Sequence, residues 1–474
     1  MVFSSVIFIL YFLPVFFLFY YLADPRYKNT IILLGSILFY AWGAPQFIFV
    51  ILGTTLVDFY VVRKMYASEN RRVSKVLLGL SVSLNLGLLF YFKYSNFFIE
   101  NVNFLLYHNN VKPVAWTKLV LPIGISFYTF ETLTYVVDVY KRVHKPLQRF
   151  GDYLLYIILF PKLIAGPIIR YHDFAGQIYD HTKHETAENR LTGMYRFFIG
   201  LGKKVFIANV MGAAADEIFA LPDNLLTTTT AWMGALSYTF QIYFDFSGYS
   251  DMAIGLGKMM GFRFPENFDN PYTARSITDF WRRWHITLGT WMRNYLYIPL
   301  GGNKVNSQWR LYLNLLIVFI ASGLWHGAAW GFVIWGAYHG FFLIAERLVL
   351  GRWLARAGKL ACLYTFPVVL IGWVFFRLEH LTPSLHFLKH MFSWSAENYQ
   401  WMADTEYKTI LVLAFVFSFF TLLPKGAQLH HKVFYETYPM SRHYLMGLGV
   451  VIIFILSVSR ITLSTFNPFI YFRF

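Results

Sequence analysis

The forty residues "LYLNLLIVFIASGLWHGAAWGFVIWGAYHGFFLIAERLVL", Leu311 to Leu350, carry no charged side chain before Glu346. A helix needs about 20 apolar residues to cross the hydrocarbon of a bilayer, so the run is long enough for two spans and reads as a hairpin. Gly323, Gly327, Ala328 and Ala329 near its middle are small enough for other helices or a substrate to come close. His326 sits among them. An ionisable group at that depth is costly unless it faces an interior cavity, which makes His326 a functional-site candidate. A neutral imidazole there suits a general base acting on a hydroxyl. Ser322, one turn earlier on the same face, is placed to orient the ring, and His339 falls further along the second half, toward a membrane end.

The rest of the chain has the same character. Of 474 residues, 57% are hydrophobic, 20% aromatic and only 14% charged, too oily for a soluble multidomain protein. Apolar runs recur at Val2–Leu22, Ile31–Val62, Val76–Phe92, Leu119–Val139, Trp232–Phe246, Leu360–Phe376, Ile410–Leu423 and Leu445–Val458, with a weaker one at Met194–Ala215 interrupted by Lys203 and Lys204. Ile31–Val62 is long enough for a second hairpin. Val2–Leu22 lacks a basic leader and a small-residue cleavage site, so it is expected to be a retained first helix. The fold class is an all-α polytopic membrane protein of roughly 10 to 12 spans.

The net charge of +16 resides largely in short connectors such as "VVRKMYASENRRVSK", "YKRVHKPLQR" and "GRWLARAGK". Lys and Arg accumulate in cytoplasmic loops, so the charge marks topology and no nucleic-acid partner is expected. "SNFFIENVNFLLYHNNV" then faces outward, as does the N-terminus. The single cysteine, Cys362, cannot form an intrachain disulfide and has no neighbouring cation to activate it. No G-x-S-x-G elbow, P-loop or H-E-x-x-H motif is present, and no metal site is expected.

From Phe244 to Asn303 polar and charged residues interleave with Trp, Tyr and Gly, the pattern of a structured re-entrant or interfacial segment. Within it, "FWRRWHITLGTWMRNYLYIPL" reads as one amphipathic helix. At 100° per residue, Trp281, Trp284, His285, Leu288, Trp291, Met292 and Tyr295 share a face of about 120°, with Arg282, Arg283 and Arg293 turned away. His285 is thereby grouped with the tryptophans.

Together these blocks resemble the membrane-bound O-acyltransferase family, and within it the bacterial branch typified by alginate O-acetyltransferases. The resemblance rests on "LPIGISFYTFETLTYVVDVY" (Leu121–Tyr140), "FPKLIAGPIIR" (Phe160–Arg170), "FSGYSDMAIGLGKMMGFRFPENFDNPY" (Phe246–Tyr272), "DFWRRWH" (Asp279–His285), "LWHGAAWGFVIWGAYHG" (Leu324–Gly340) and "NPFIYFRF" (Asn467–Phe474). The chain departs from the pattern at Lys162 and Arg473, where glutamine is expected.

The resemblance implies a funnel of tilted helices around a thin partition, in one transmembrane domain over 1–474. N-terminal helices would occupy 1–120, a catalytic core 121–345 with the interfacial segment at 244–303, and C-terminal helices 346–474. It assigns the intramembrane catalytic histidine to His326 and the supporting one to His285, which would position the donor or stabilise the oxyanion. Trp325, Ser322, Asp279, Arg282 and Arg283 are candidates to contact the substrate or donor, the arginines through the phosphates of coenzyme A.

No tightly bound cofactor is implied. The acyl donor is acetyl-CoA or an acylated carrier, and the acetyl group goes to an extracytoplasmic SGNH/GDSL-like partner that modifies an exported, alginate-like polysaccharide. Such a protein lies among the lipids of the bacterial inner membrane. Peptidoglycan or another exopolysaccharide is the alternative acceptor. A transporter with a histidine proton relay is the alternative of a different class, against which stands the scarcity of intramembrane Asp and Glu around His326.

Overall fold

A computed structural model describes residues 1–393, 401–463 and 469–470. Arg473 and most of the closing "NPFIYFRF" motif lie outside them. Helices account for nearly all of the regular structure, and among the described residues no strand forms beyond one isolated antiparallel bridge. Among the described residues, six helical stretches are long and apolar enough to cross a membrane: Pro45–Ala67, Arg71–His108, Ala187–Phe219, Trp330–Leu378, Thr405–Leu422 and Met440–Leu463, with a shorter apolar helix at Ile7–Leu22. Trp330–Leu378 counts once although it contains two apolar helices, Trp330–Ala345 and Cys362–Leu378, between which Gly358 takes a positive φ of 58°. The protein is a polytopic, all-helical membrane protein.

The chain folds as two compact units, residues 1–190 with 256–264, and residues 191–255 with 265–474. In the first unit the run Ile31–Val62 divides into helices Lys28–Gly43 and Ile48–Ala67. The break falls at Ala44, which precedes Pro45 and is driven out of helical geometry to φ −152°. Asn70 caps the next helix by accepting from Arg72 N at 2.9 Å. Several charged and polar groups buried in this unit are paired, as the cost of burying them in a bilayer favours. Asp58 bonds Ser81 and, at 2.7 Å, Asn85 Nδ2, and the departing Lys162 is buried in an ion pair with Glu131.

The second unit holds both candidate histidines. The 32-residue helix Thr228–Met259, which belongs to it through Gly255, carries the buried Asp245 and Asp251. Lys204 pairs with Asp245 at 2.8 Å, and Lys203 and Arg196 pair with Asp251 at 2.6 and 2.8 Å. The lysines that weaken the Met194–Ala215 run therefore neutralise buried acids. Within Phe244–Asn303, the first sixteen residues, through Met259, belong to this regular helix, and its two acidic side chains, Asp245 and Asp251, each have a cation beside them.

The Leu311–Leu350 run forms the expected hairpin, Gln308–His326 followed by Trp330–Ala345. A Cβ on Gly323 would meet Phe332 O at 2.1 Å, and one on Gly336 would meet Phe319 O at 2.3 Å. The two helices thus touch backbone to backbone, which only glycine permits.

Orientation is testable at three exposed positions. In a Cys362→Ser background, itself expected to keep most of the activity, cysteines replacing Glu69 and Arg356 should escape an impermeant thiol reagent in intact cells, whereas one replacing Asn109 should react. Labelling at position 69 would invert the topology assigned here.

Candidate active site

The turn that presents His285 is set by pairing with a distant segment. Ser276 opens the helix Ile277–Arg283, its Oγ accepting from Asp279 N at 2.9 Å. The Glu346 carboxylate accepts from Ile277 N at 2.5 Å and Thr278 N at 3.0 Å, satisfying donors that a helix N-terminus leaves open. At the other end, Asp269 N donates to Arg283 O at 2.9 Å and Ile286 N donates to Asn267 O at 3.0 Å, forming the bridge between Phe268 and Trp284. These bonds end the helix at Arg283. His285 is left in the left-handed region at φ 46°, uncommon for a residue with a side chain, and a second helix, Ile286–Met292, begins after it. The single amphipathic helix expected from Trp281 to Tyr295 is thus two short helices with His285 at the joint.

His285 and His326 are buried, and their ring centroids lie 6.3 Å apart. Aromatic edges hold both rings. His326 packs against Trp325 at 4.9 Å, Trp335 at 5.4 Å and Phe376 at 5.1 Å, and His285 packs against Phe246 at 4.7 Å. His285 Nδ1 is 3.1 Å from Asn267 Oδ1, while its Nε2 is buried with no hydrogen-bond partner among the described residues. A void of about 10 Å³, room for one water-sized group, adjoins His326 between Ile242, Phe246, Trp284, Trp373, Phe376 and Ile470. A second cavity of about 30 Å³ includes Arg196, Lys203, Glu266, Asn267, His430 and Tyr435 in its lining. A third cavity, about 260 Å³ and bordered by Glu217, Asp404, Glu406 and Arg460, is lined by neither histidine.

The other candidates divide. Trp325 is buried against both histidine rings, at 4.9 and 6.0 Å. Ser322 is buried one turn before His326, but no hydrogen bond among the described residues joins it to the ring. Asp279 and Arg283 are bound to each other at 2.9 Å, Asp279 also accepts from Arg275 N at 3.1 Å, and Arg282 is exposed. None of these three lines the void beside His326.

His339, expected near a membrane end, is fully buried between Trp281 at 4.9 Å and Trp335 at 5.2 Å. Asn267 and Glu346 escaped the sequence reading, since their partners lie 18 and 69 residues away and no local period signals them. Cys362 is buried and lines none of the three cavities.

The chain is thus a polytopic helical membrane protein that buries two histidine rings 6.3 Å apart, one of them, His326, beside an apolar void. The sequence pattern of MBOAT, the membrane-bound O-acyltransferase family, matches residues 88–381, and the chain belongs to that family. It is 44% identical over 429 residues to the "Probable alginate O-acetylase AlgI" of Pseudomonas aeruginosa, covering 89% of this chain and 82% of the relative. It is 39% identical over the full length of both chains to the protein of the same name from Pseudomonas putida. A peptidoglycan O-acetyltransferase of Helicobacter pylori is 37% identical, over 82% of this chain and 80% of the relative. The protein is a membrane O-acetyltransferase.

Proposed function

We propose that the chain takes an acetyl group from a cytoplasmic thioester, acetyl-CoA or an acylated carrier, and delivers it across the inner membrane to an SGNH/GDSL-like acetyltransferase outside, for O-acetylation of an exported alginate-like polysaccharide. The observation that carries this reading is the burial of His326 and His285 with ring centroids 6.3 Å apart, His326 lining a void sized for one small group. His326 is the general base. As the acceptor hydroxyl oxygen attacks the thioester carbonyl carbon, its proton passes to a ring nitrogen of His326. The C–S bond then breaks, and the departing thiolate takes that proton. His285 acts on the donor side. The peptidoglycan relative supports a second reading, in which the same transfer serves a peptidoglycan acceptor.

Sided vesicles test the proposal. With the chain reconstituted, labelled acetyl-CoA on the face bearing Glu69 should acetylate the partner supplied on the opposite face. No transfer to the far face, from either acetyl-CoA or an acetylated carrier, would overturn it.

A further inference from the structure

We infer that Asn267 is a positioning residue that locks His285 in one tautomer, so that His285 offers a lone pair to the acyl donor's amide N–H. The inference rests on the reading of the chain as a thioester-using acyltransferase and assigns chemistry within it.

Asn267 faces a backbone N–H, which can only donate. The backbone N–H of Thr287 meets Asn267 Oδ1 at 3.2 Å, and the Thr287 hydroxyl meets the same atom at 2.9 Å. A backbone N–H cannot accept, so that atom is the amide oxygen. The amide nitrogen points the other way, toward Ser250 Oγ at 3.3 Å. His285 Nδ1, 3.1 Å from the same oxygen, must therefore carry the hydrogen. In a neutral imidazole the other nitrogen is then an acceptor. Nε2 is that atom, and it is buried with no hydrogen-bond partner among the described residues. A buried acceptor left open costs free energy that a ligand donor recovers. The neutral ring cannot give a hydrogen bond to an oxyanion from this nitrogen, which removes the oxyanion role expected of His285.

The ligand that fits is the pantetheine arm common to acetyl-CoA and acyl carriers. Its amide nitrogen lies two carbons from the thioester sulfur, a spacing suited to one ring at the reacting carbonyl and a second ring 6.3 Å away. Asn267 and Ser250 also line the cavity shared with Arg196, Lys203 and Tyr435, so the ring is held from the wall of a space outside the void beside His326.

A kinetic double-mutant cycle with acetyl-CoA as the probe tests this. Loss of one hydrogen bond to the donor should raise KM for acetyl-CoA about tenfold in Asn267→Ala, with kcat changed by about twofold or less. His285→Ala should do at least as much, and the double variant no more than His285→Ala alone. Asn267→Asp, which keeps an acceptor at the same place, should restore most of the affinity. Thr287→Val removes the other side-chain donor to that oxygen and should leave KM near wild type. Additive effects, a fall in kcat at constant KM, or an equal loss in Thr287→Val would overturn the inference while leaving the acyltransferase reading intact. Imidazole nitrogen NMR of the wild-type protein, assigned by loss of the signal in His285→Ala, reads the tautomer without relying on Asn267→Ala to fold. An unprotonated Nε2 is expected, and a protonated one would overturn the inference.

Discussion

His326→Ala is expected to reduce acetyl transfer by a factor of about 10² to 10⁴, the usual contribution of a general base, while the protein still inserts and accumulates. The expectation separates chemistry from packing. The helix that carries His326 is fixed by backbone contacts at Gly323 and Gly336, and its aromatic neighbours Trp335 and Phe376 also pack on each other, at 5.2 Å. Removal of the ring should leave those contacts in place. The readout is ester formed per glycan at matched protein level. If His326→Ala instead prevents accumulation, the residue is a packing element first and its catalytic assignment loses its support.

The largest effect on stability is expected at Asp245. Its carboxylate is 1% exposed, pairs with Lys204 Nζ at 2.8 Å and accepts from Ile470 N at 2.8 Å. Asp245→Ala removes the carboxylate paired with the buried Lys204 ammonium, which should cost about 3–5 kcal/mol. Thermal unfolding of purified protein in one detergent measures this. Replacing both partners, Lys204→Met with Asp245→Leu, removes both desolvation penalties and should recover most of the loss. The recovery should be incomplete because Ile470 N still loses its acceptor. An unchanged unfolding temperature in Asp245→Ala would show that the pair carries little of the second unit's stability.

Much of this architecture is legible in the sequence because it is written locally. The two hairpins follow from apolar runs twice the span length, and their breaks follow from Pro45 and from the small residues around Gly327. The positive charge between spans likewise needs no partner to be read. What failed to be read is non-local. The 100° rule placed Trp281 through Tyr295 on one helix because nothing in that window announces the pairing with Asn267–Asp269 that stops the helix at Arg283. Nor does the stretch Phe244–Met259 reveal that Lys203, Lys204 and Arg196 neutralise its acids from another helix.

The candidate site shows the same division. His326 stands out as a lone imidazole in an apolar run, whereas the pairing of His285 with it became readable only through the family's motifs. Asp279 and Arg283 were marked by sequence proximity to His285, but four residues along a short helix they satisfy each other. Asn267, which holds the His285 ring, carries no signal beyond its place in "PENFDN".

The central claim is that His326 takes a proton. His326→Gln tests it most directly, since glutamine keeps polarity and hydrogen-bonding capacity but cannot accept a proton at neutral pH. Measured as ester per glycan at matched expression, acetylation by His326→Gln should fall to near background, as with alanine. Near-normal acetylation would contradict the account and leave His326 a structural residue.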